Sequence, residues 1–365
     1  MPRKKNPENA GLPARWNHRH GAYYYQVPAG LEEHWNGKRW FRLGKTLTEA
    51  YATWAERMPT MDVANTIGEL LDRYAREVVP TKAVATREGN VLAIARLKPV
   101  FGRMPLASLK PKHVYKYVDT RRKKTRDEQG RMRGGLTVAH REVEVLSHAF
   151  TKAVEWGYID AHPFAWEIRL EGTKPRKRYV NDSEYEGMQA IESKRKKGSV
   201  LMIQAYLNLK NLTGMAQGDL LRLTSANMKP EGILITRHKT EESSGKSTLY
   251  EWTPELREAV ERCKAVRPAL SPFLFCNRRG EGYIDEATGK AHGWKSMWQR
   301  FRQRAYAEGK VTDRFTEHDM RAKVGSDADS DEHARALLSH TSTATTQIYR
   351  RKPEKVKPLS RKRGE

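Results

Sequence analysis

Cysteine is nearly absent from this 365-residue chain, which carries only Cys263 and Cys276. Two thiols supply neither a disulfide framework nor a zinc pair, so a reduced, intracellular protein is expected. Long apolar runs are also missing: nothing approaches the length of a membrane span. The N-terminus, Met1-Pro2-Arg3-Lys4-Lys5, is basic, but no apolar stretch follows, which excludes a secretory signal peptide. His18 and His20 lie two apart with no acidic or cysteine partner nearby, so no metal and no other cofactor is expected. Neither internal repeats nor low-complexity segments occur.

Negative charge is the other shortage. Against 68 Lys and Arg stand 44 Asp and Glu, a net charge of +24. Such an excess favours a polyanionic partner, because releasing condensed counterions drives binding to nucleic acid. A basic ribosomal protein would be shorter, and a membrane-surface protein would show an amphipathic basic helix. Hydrophobic residues at 38% and charged residues at 31% suit a soluble chain with proper cores. The length suits two or three domains.

The pattern predicts a multidomain protein, mainly α with small β-sheets (α+β). Residues 1–58 read as a small β-rich unit. Ala22 to Val27 and Lys38 to Leu43 are strand candidates, and Asn36-Gly37 is a hairpin signal because both residues tolerate positive φ. A helix is expected from Thr46 to Met58. The aromatics here suit either the little core or packing on nucleic acid; Arg39 and Arg42 are candidate phosphate contacts.

Residues 63–171 read as helical. Thr66 and Glu69 form a capping box ahead of Ile67, Leu70, Leu71 and Tyr74. Ala139, Val143, Leu146, Phe150 and Val154 recur at helical spacing until Gly157. The run Arg121-Arg122-Lys123-Lys124, continuing to Arg131 and Arg133, is either a solvated loop or a phosphate contact. Lys174-Pro175-Arg176-Lys177-Arg178 reads as a basic linker, and Lys174, Arg176, Lys177 and Arg178 join the candidate DNA contacts. Residues 179–365 form the last domain. It is mostly helical, opens with a capping box from Ser183 to Glu186, and has one hairpin pairing Gly232–Thr236 with Ser247–Tyr250. Thr253-Pro254 starts the helix that follows.

Four pieces of that domain matter together: Thr213-Gly214-Met215-Ala216-Gln217-Gly218-Asp219-Leu220-Leu221-Arg222-Leu223; Lys239-Thr240; His318-Asp319-Met320-Arg321; and Leu337-Leu338-Ser339-His340 on to Thr346-Gln347-Ile348-Tyr349. Singly, each has a bland explanation: a packing tyrosine, a surface His–Arg pair, a meaningless Lys-Thr. In this order and at these spacings they resemble the tyrosine recombinases, the phage integrase family. Gly11-Leu12-Pro13 with the tyrosine strand is similar to the arm-site-binding domain of lambda-type integrases. The helical region, with Val154-Glu155-Trp156-Gly157-Tyr158-Ile159 and His162-Pro163, resembles the core-site-binding domain. The resemblance thus covers nearly the whole chain, most specifically at its C-terminal motifs.

The resemblance implies a chemistry that physical need supports, since cutting DNA without metal takes a nucleophile, charge stabilisation and an acid. Tyr349 would attack phosphorus and form a 3′-phosphotyrosine, leaving a 5′-hydroxyl that can later reverse the step. Arg321 would clamp the phosphoryl oxygens, Lys239 would protonate the leaving oxygen, and His318 and His340 would hydrogen-bond the phosphate and move the tyrosine proton. A free tyrosine titrates near ~10, so it needs the cations to react at neutral pH. The implied partners are double-stranded DNA attachment sites, three further copies in a homotetramer on DNA, and DNA-bending or directionality proteins. The implied location is the cytoplasm of a bacterial host, at the nucleoid. The chain departs from the family at one position: where the first motif has Thr-Gly-x-Arg, Ala216 stands in place of the arginine. Impaired cleavage is therefore expected, and the intact remainder favours an engineered alanine over a decayed site. A non-cleaving architectural or regulatory DNA-binding protein is the alternative. A topoisomerase or telomere resolvase fits the first domain poorly. The basic residues after Tyr349 (Arg350, Arg351, Lys352, Lys355) suit packing on a neighbouring protomer or a disordered tail touching phosphate.

Overall fold

Hydrophobic spacing and helix caps account for most of the observed elements. The computed structural model describes residues 9, 11–27, 32, 35–57, 64–126, 132–172, 175–238, 245–353 and 358. The chain divides into two compact units, residues 1–174 and 175–365.

The first unit begins with an antiparallel sheet, β1 (Trp16–Arg19), β2 (Ala22–Gln26) and β3 (Trp40–Gly44), in that spatial order. The sequence reading misses β1. Its turn is made by His20 and Gly21, with φ of 49° and 67°, the positive values that a two-residue hairpin turn uses. Asn36 and Gly37 also take positive φ, but within the longer connection between β2 and β3. Helix α1 (Leu47–Arg57) packs against β3, and Trp16, Tyr25, Trp35, Tyr51 and Trp54 form the interior. The aromatics are thus mostly core.

Four longer helices follow: α2 (Ile67–Glu77), α3 (Val84–Phe101), α4 (Pro111–Arg122) and α5 (Leu136–Glu155), with a two-residue ribbon, β4 (Thr125–Arg126) and β5 (Met132–Arg133), between the last two. The Thr66–Glu69 capping box opens α2. Gly157, at φ 72°, follows the end of α5. One continuous apolar cluster runs from Trp16 to Phe164, across the boundary expected near residues 58–63. Arg121 and Arg122 belong to the last turn of α4, not to a loop. Arg121 meets Glu142 on α5 through two hydrogen bonds, and Tyr117 Oη donates to the same carboxylate at 2.7 Å.

The second unit contains α6 (Asp182–Gln189), α7 (Ser199–Thr213), α8 (Gln217–Arg222), the hairpin β6 (Gly232–Thr236) and β7 (Ser247–Glu251), then α9 (Pro254–Ala265), α10 (His292–Ala307), α11 (Glu317–Asp327), α12 (Asp331–Leu337) and α13 (Thr343–Gln347). The hairpin register pairs Gly232 with Glu251 and Thr236 with Ser247. Thr253 caps α9, its hydroxyl accepting from Leu256 N–H at 3.2 Å. Helix α7 is buried on nearly every side and correspondingly central, packing on α9, α10 and α11. Tyr206 of α7 lies 5.4 Å from the ring of Phe275 and 4.6 Å from that of Trp294.

Two expectations need correction here. The capping box of α6 is Asn181 with Glu184, not Ser183 with Glu186: Asn181 Oδ1 accepts from Glu184 N–H at 2.8 Å and also from the Ser183 hydroxyl. Asn181 is already extended, so the cap falls two residues earlier. The stretch 175–180 has no regular structure, yet it is tied down rather than free. Arg176 and Arg178 are consumed by carboxylates, Asp319 and Glu184 respectively. Among the described residues, no helix is long and apolar enough to cross a membrane.

Candidate active site

Helix α11 starts where Thr316 and Asp319 close a capping box, with Thr316 N–H and Oγ donating to one Asp319 oxygen at 2.7 and 2.9 Å. From that fixed start, residues 318 and 321 share a face, being one helical turn apart. Arg321 is 3% exposed. Its Nη1 donates to the Gly214 carbonyl, its Nη2 to the Leu338 carbonyl, and Nη2 lies 3.3 Å from His340 Nε2. Gly214 ends α7 at φ 66°, and a Cβ there would meet Val324 and Leu338 at 3.0 Å. Only glycine brings that carbonyl to the guanidinium. Burial, and next the charge of Arg237, lower the Arg321 pKa from its ordinary value, though an arginine stays cationic at neutral pH.

His340 is buried and wired in one direction. Arg321 can only donate, so His340 Nε2 accepts; Nδ1 then carries the proton, 3.1 Å from Thr346 Oγ1, which itself donates to the Ser342 carbonyl. Burial and the charges of Arg321, Arg237 and Lys246 push the His340 pKa down to about 4, which matches that neutral tautomer. Lys246, at the entry to β7, donates to the His340 carbonyl at 2.5 Å.

Tyr349 lies just beyond α13, its ring 5.0 Å from those of both His318 and His340 and 5.8 Å from Arg321 Cζ. Its N–H donates to Thr346 O, and its carbonyl accepts from Ser326 Oγ at 2.8 Å. Gly325 makes this approach feasible, since a Cβ there would sit 3.1 Å from Tyr349 Cβ. The residues that follow are bound to their own unit. Arg350 pairs with Asp331, Arg351 with Asp319 at 2.5 Å, and Lys352 with Asp327 at 3.0 Å. The free-tail expectation is therefore corrected for Arg350, Arg351 and Lys352; Lys355 lies outside the described residues. The cause is Asp319, fully buried, whose carboxylate gathers Arg176, Arg351 and the start of α11.

A cleft of about 820 Å³ opens over this cluster, lined by Ala216, Arg237, His318, Arg321 and Tyr349. Desolvation, then the charges of Arg321, Arg351 and Lys210, lower the His318 pKa, so its ring is a neutral base at neutral pH. Ala216 is the N-cap residue of α8 and presents only a methyl group to the cleft. Lys239 and Thr240 lie outside the described residues. Arg222 forms a two-pronged pair with Glu286, at 3.0 and 2.9 Å. Sequence reasoning missed Lys210, Glu317 and Arg237. Lys210 is 1% exposed, donates to the Met215 carbonyl at 3.1 Å and lies 3.5 Å from Glu317. Burial pushes Lys210 well down and Glu317 well up in pKa. A lysine in a helix otherwise free of charged residues was the available signal.

The remaining DNA-contact candidates scatter. Arg39, Arg42, Arg122, Lys123, Lys124 and Lys177 are exposed. Arg121 and Arg178 carry buried carboxylate partners, while Arg176 keeps a partly exposed side chain, 43%, beside its own. Lys174 lies outside the described residues.

No known family profile and no curated protein matches the chain. Solved structures do. A lambda integrase dimer bound to a COC′ core site and a lambda integrase tetramer bound to a Holliday junction each align at TM-score 0.60 and 18% identity, covering 95% of this chain and 98% of theirs. The Tn1549 transposon integrase in complex with a circular intermediate DNA aligns at TM-score 0.61 and 17% identity, over 78% of this chain and 95% of that one. The backbone course agrees over most of the chain: this chain has the multidomain fold of the tyrosine recombinases.

Proposed function

We propose that the chain is a site-specific DNA recombinase that cuts and rejoins duplex DNA through a 3′-phosphotyrosine to integrate or excise mobile DNA. The observation that carries this reading is the placement of the Tyr349 ring between His318 and His340, facing Arg321, at the floor of a cationic cleft. Tyr349 Oη attacks phosphorus, forming the P–Oη bond as the P–O5′ bond breaks. Neutral His318 takes the phenolic proton and Lys239 gives one to the leaving 5′-oxygen. Arg321 stabilises the charge on the non-bridging oxygens. His340, occupied on both ring nitrogens, orients Arg321 and supports the phosphate site from beneath. No net energy source is needed, since the ester is conserved and a second 5′-hydroxyl reverses the step. Because residues 350–352 are pinned to the unit that holds Arg321, Tyr349 acts in cis.

Residues 1–58 and 63–171 serve as the arm-site and core-site binding parts, and 179–365 as the catalytic domain. Lambda integrase bound as a tetramer to a Holliday junction supports a homotetramer on DNA attachment sites, with bending or directionality proteins as further partners. The missing arginine at 216 slows cleavage relative to a site that has one. The same alanine favours the second reading, a non-cleaving architectural or regulatory DNA-binding protein.

Nuclease protection on host and mobile-element DNA would define the bound sequence, and a nicked duplex of that sequence would trap covalent adduct. Adduct is expected from the chain and none from Tyr349→Phe at equal DNA occupancy. Tight binding with no adduct, even from Ala216→Arg, would establish the architectural reading instead.

A further inference from the structure

We infer that Arg237 supplies, from the end of strand β6, the phosphate-clamping guanidinium that position 216 does not. This rests on the recombinase reading above and concerns which residue completes its site.

Strand alternation aims the side chain. Ile233 and Ile235 face the core and Leu234 and Thr236 face out, so period two carries Arg237 to the inner side as the strand ends. The strand end is tied to the very helix that Ala216 caps. His238 N–H donates to Asp219 Oδ1 at 3.2 Å, and Asp219 lies three residues beyond Ala216 in the first turn of α8. Arg237 N–H in turn bonds the Lys246 carbonyl at 3.2 Å, closing the hairpin beside the cleft. Arg237 and Ala216 accordingly line the same cleft as Arg321 and Tyr349.

The guanidinium is also uncommitted. Its Nε is buried without a hydrogen-bond partner, and among the described residues no carboxylate pairs with it. A buried donor left unmet is costly unless a ligand completes it. The charge of Arg237 is felt at Arg321 and at His340, so it acts on the volume where a phosphate would lie.

Of the other cations near the gap, exposed Lys290 and Lys295 also line the cleft but are lysines, and Arg302 likewise has an unmet Nε; several are otherwise engaged. Arg222 is held by Glu286, Lys210 is sealed beneath the loop against Met215 and Glu317, and Arg302 gives Nη1 to the Phe315 carbonyl at 2.8 Å. A planar fork suits two phosphoryl oxygens at once, which a lysine cannot match. Two arginines, 321 from below and 237 from the strand side, would then bracket the scissile phosphate.

The full chain, Arg237→Ala, Arg237→Lys, Ala216→Arg and the double variant Ala216→Arg/Arg237→Ala would be compared for adduct rate on the nicked duplex of the protected sequence. The parent should form adduct. Arg237→Ala should slow it by roughly 10²–10⁴-fold, with Arg237→Lys between them. In the Ala216→Arg background the loss should shrink to under about tenfold, a coupling that mere structural damage would not produce. Affinity for the intact duplex should change less than about tenfold in every variant. An Arg237→Ala rate equal to the parent's, or an equal loss in both backgrounds, would overturn the inference. So would an inert parent rescued by Ala216→Arg, an outcome that leaves the recombinase reading standing. Absence of adduct from all variants despite tight binding would remove both.

Discussion

Both units expose cations, but among the described residues the most deeply buried ones lie in the second, the first burying only Arg76, at 5%. In residues 1–174, Arg42, Lys123 and Lys124 stand in solvent, and Arg19 lies over the rings of Tyr24 and Trp40 at 4.7 and 4.5 Å on the sheet surface. In residues 175–365 the notable cations are inside: Lys210 is 1%, Lys323 2% and Arg321 3% exposed. Each of these three has protein partners, Lys323 bridging Asp182 and Asp327. An exposed cation costs little to hold and contributes mainly long-range, salt-screened attraction. A buried one must be fully satisfied, and in return its position is defined to a fraction of an ångström. Under the proposed function, affinity for a polyanion and catalytic geometry would draw on different populations of Lys and Arg.

That contrast can be broken most forcefully at Arg321. Arg321→Ala strands the Gly214 and Leu338 carbonyls and removes the clamp; adduct formation should fall by about 10³–10⁵ and stability by roughly 3–5 kcal/mol, read by denaturant unfolding. If stability were unchanged, the cation would be dispensable to the fold and the contrast would fail.

A pH test is the next largest. The His340 pKa, about 4 in the fold, lies below its ordinary value of 6.5, so the unfolded chain binds more protons between the two. Its contribution to stability is complete above pH 6.5 and lost as the pH falls toward 4, on the order of 3 kcal/mol at full extent. Thermal unfolding of the full chain across that window should show the decline, and His340→Asn should flatten it. A slope identical in both proteins would place the acid sensitivity elsewhere.

The smallest effect belongs to the exposed set. Arg42→Ala and Lys123→Ala should leave unfolding within about 0.5 kcal/mol of the parent. Each that meets a phosphate should make the dependence of log affinity on log salt shallower by about one. Unchanged salt slopes would remove these side chains from the DNA interface.

Much of this was legible in the sequence because the signals were local. The Thr66–Glu69 cap, the β6–β7 hairpin and the Thr253-Pro254 helix start each depend on neighbours a few residues away. The His318–Arg321 pair and Tyr349 could be named from motif order. Arg237 could not, although the period of Ile233 and Ile235 pointed its way, because nothing local says that the strand ends beside α8. The displaced cap at Asn181 shows a local limit too: two capping patterns overlapped, and the backbone already extended at 181 selected between them.

The sequence by itself determined many of the helical and strand segments, the net charge that calls for a polyanion, and the order of the candidate site residues. Those properties are sums or short-range patterns. The tertiary structure alone decided which cations meet a carboxylate and which do not. Arg121, Arg176 and Arg178 are candidate DNA contacts in a row of basic letters, and the fold sets each beside a carboxylate 21, 143 or 6 residues away. Arg237 read as nothing and is left facing the cleft. Pairing is a matter of distance in space, and a buried charge is satisfied by whatever the fold brings to it, so no count of Lys and Arg along the chain could have made that division.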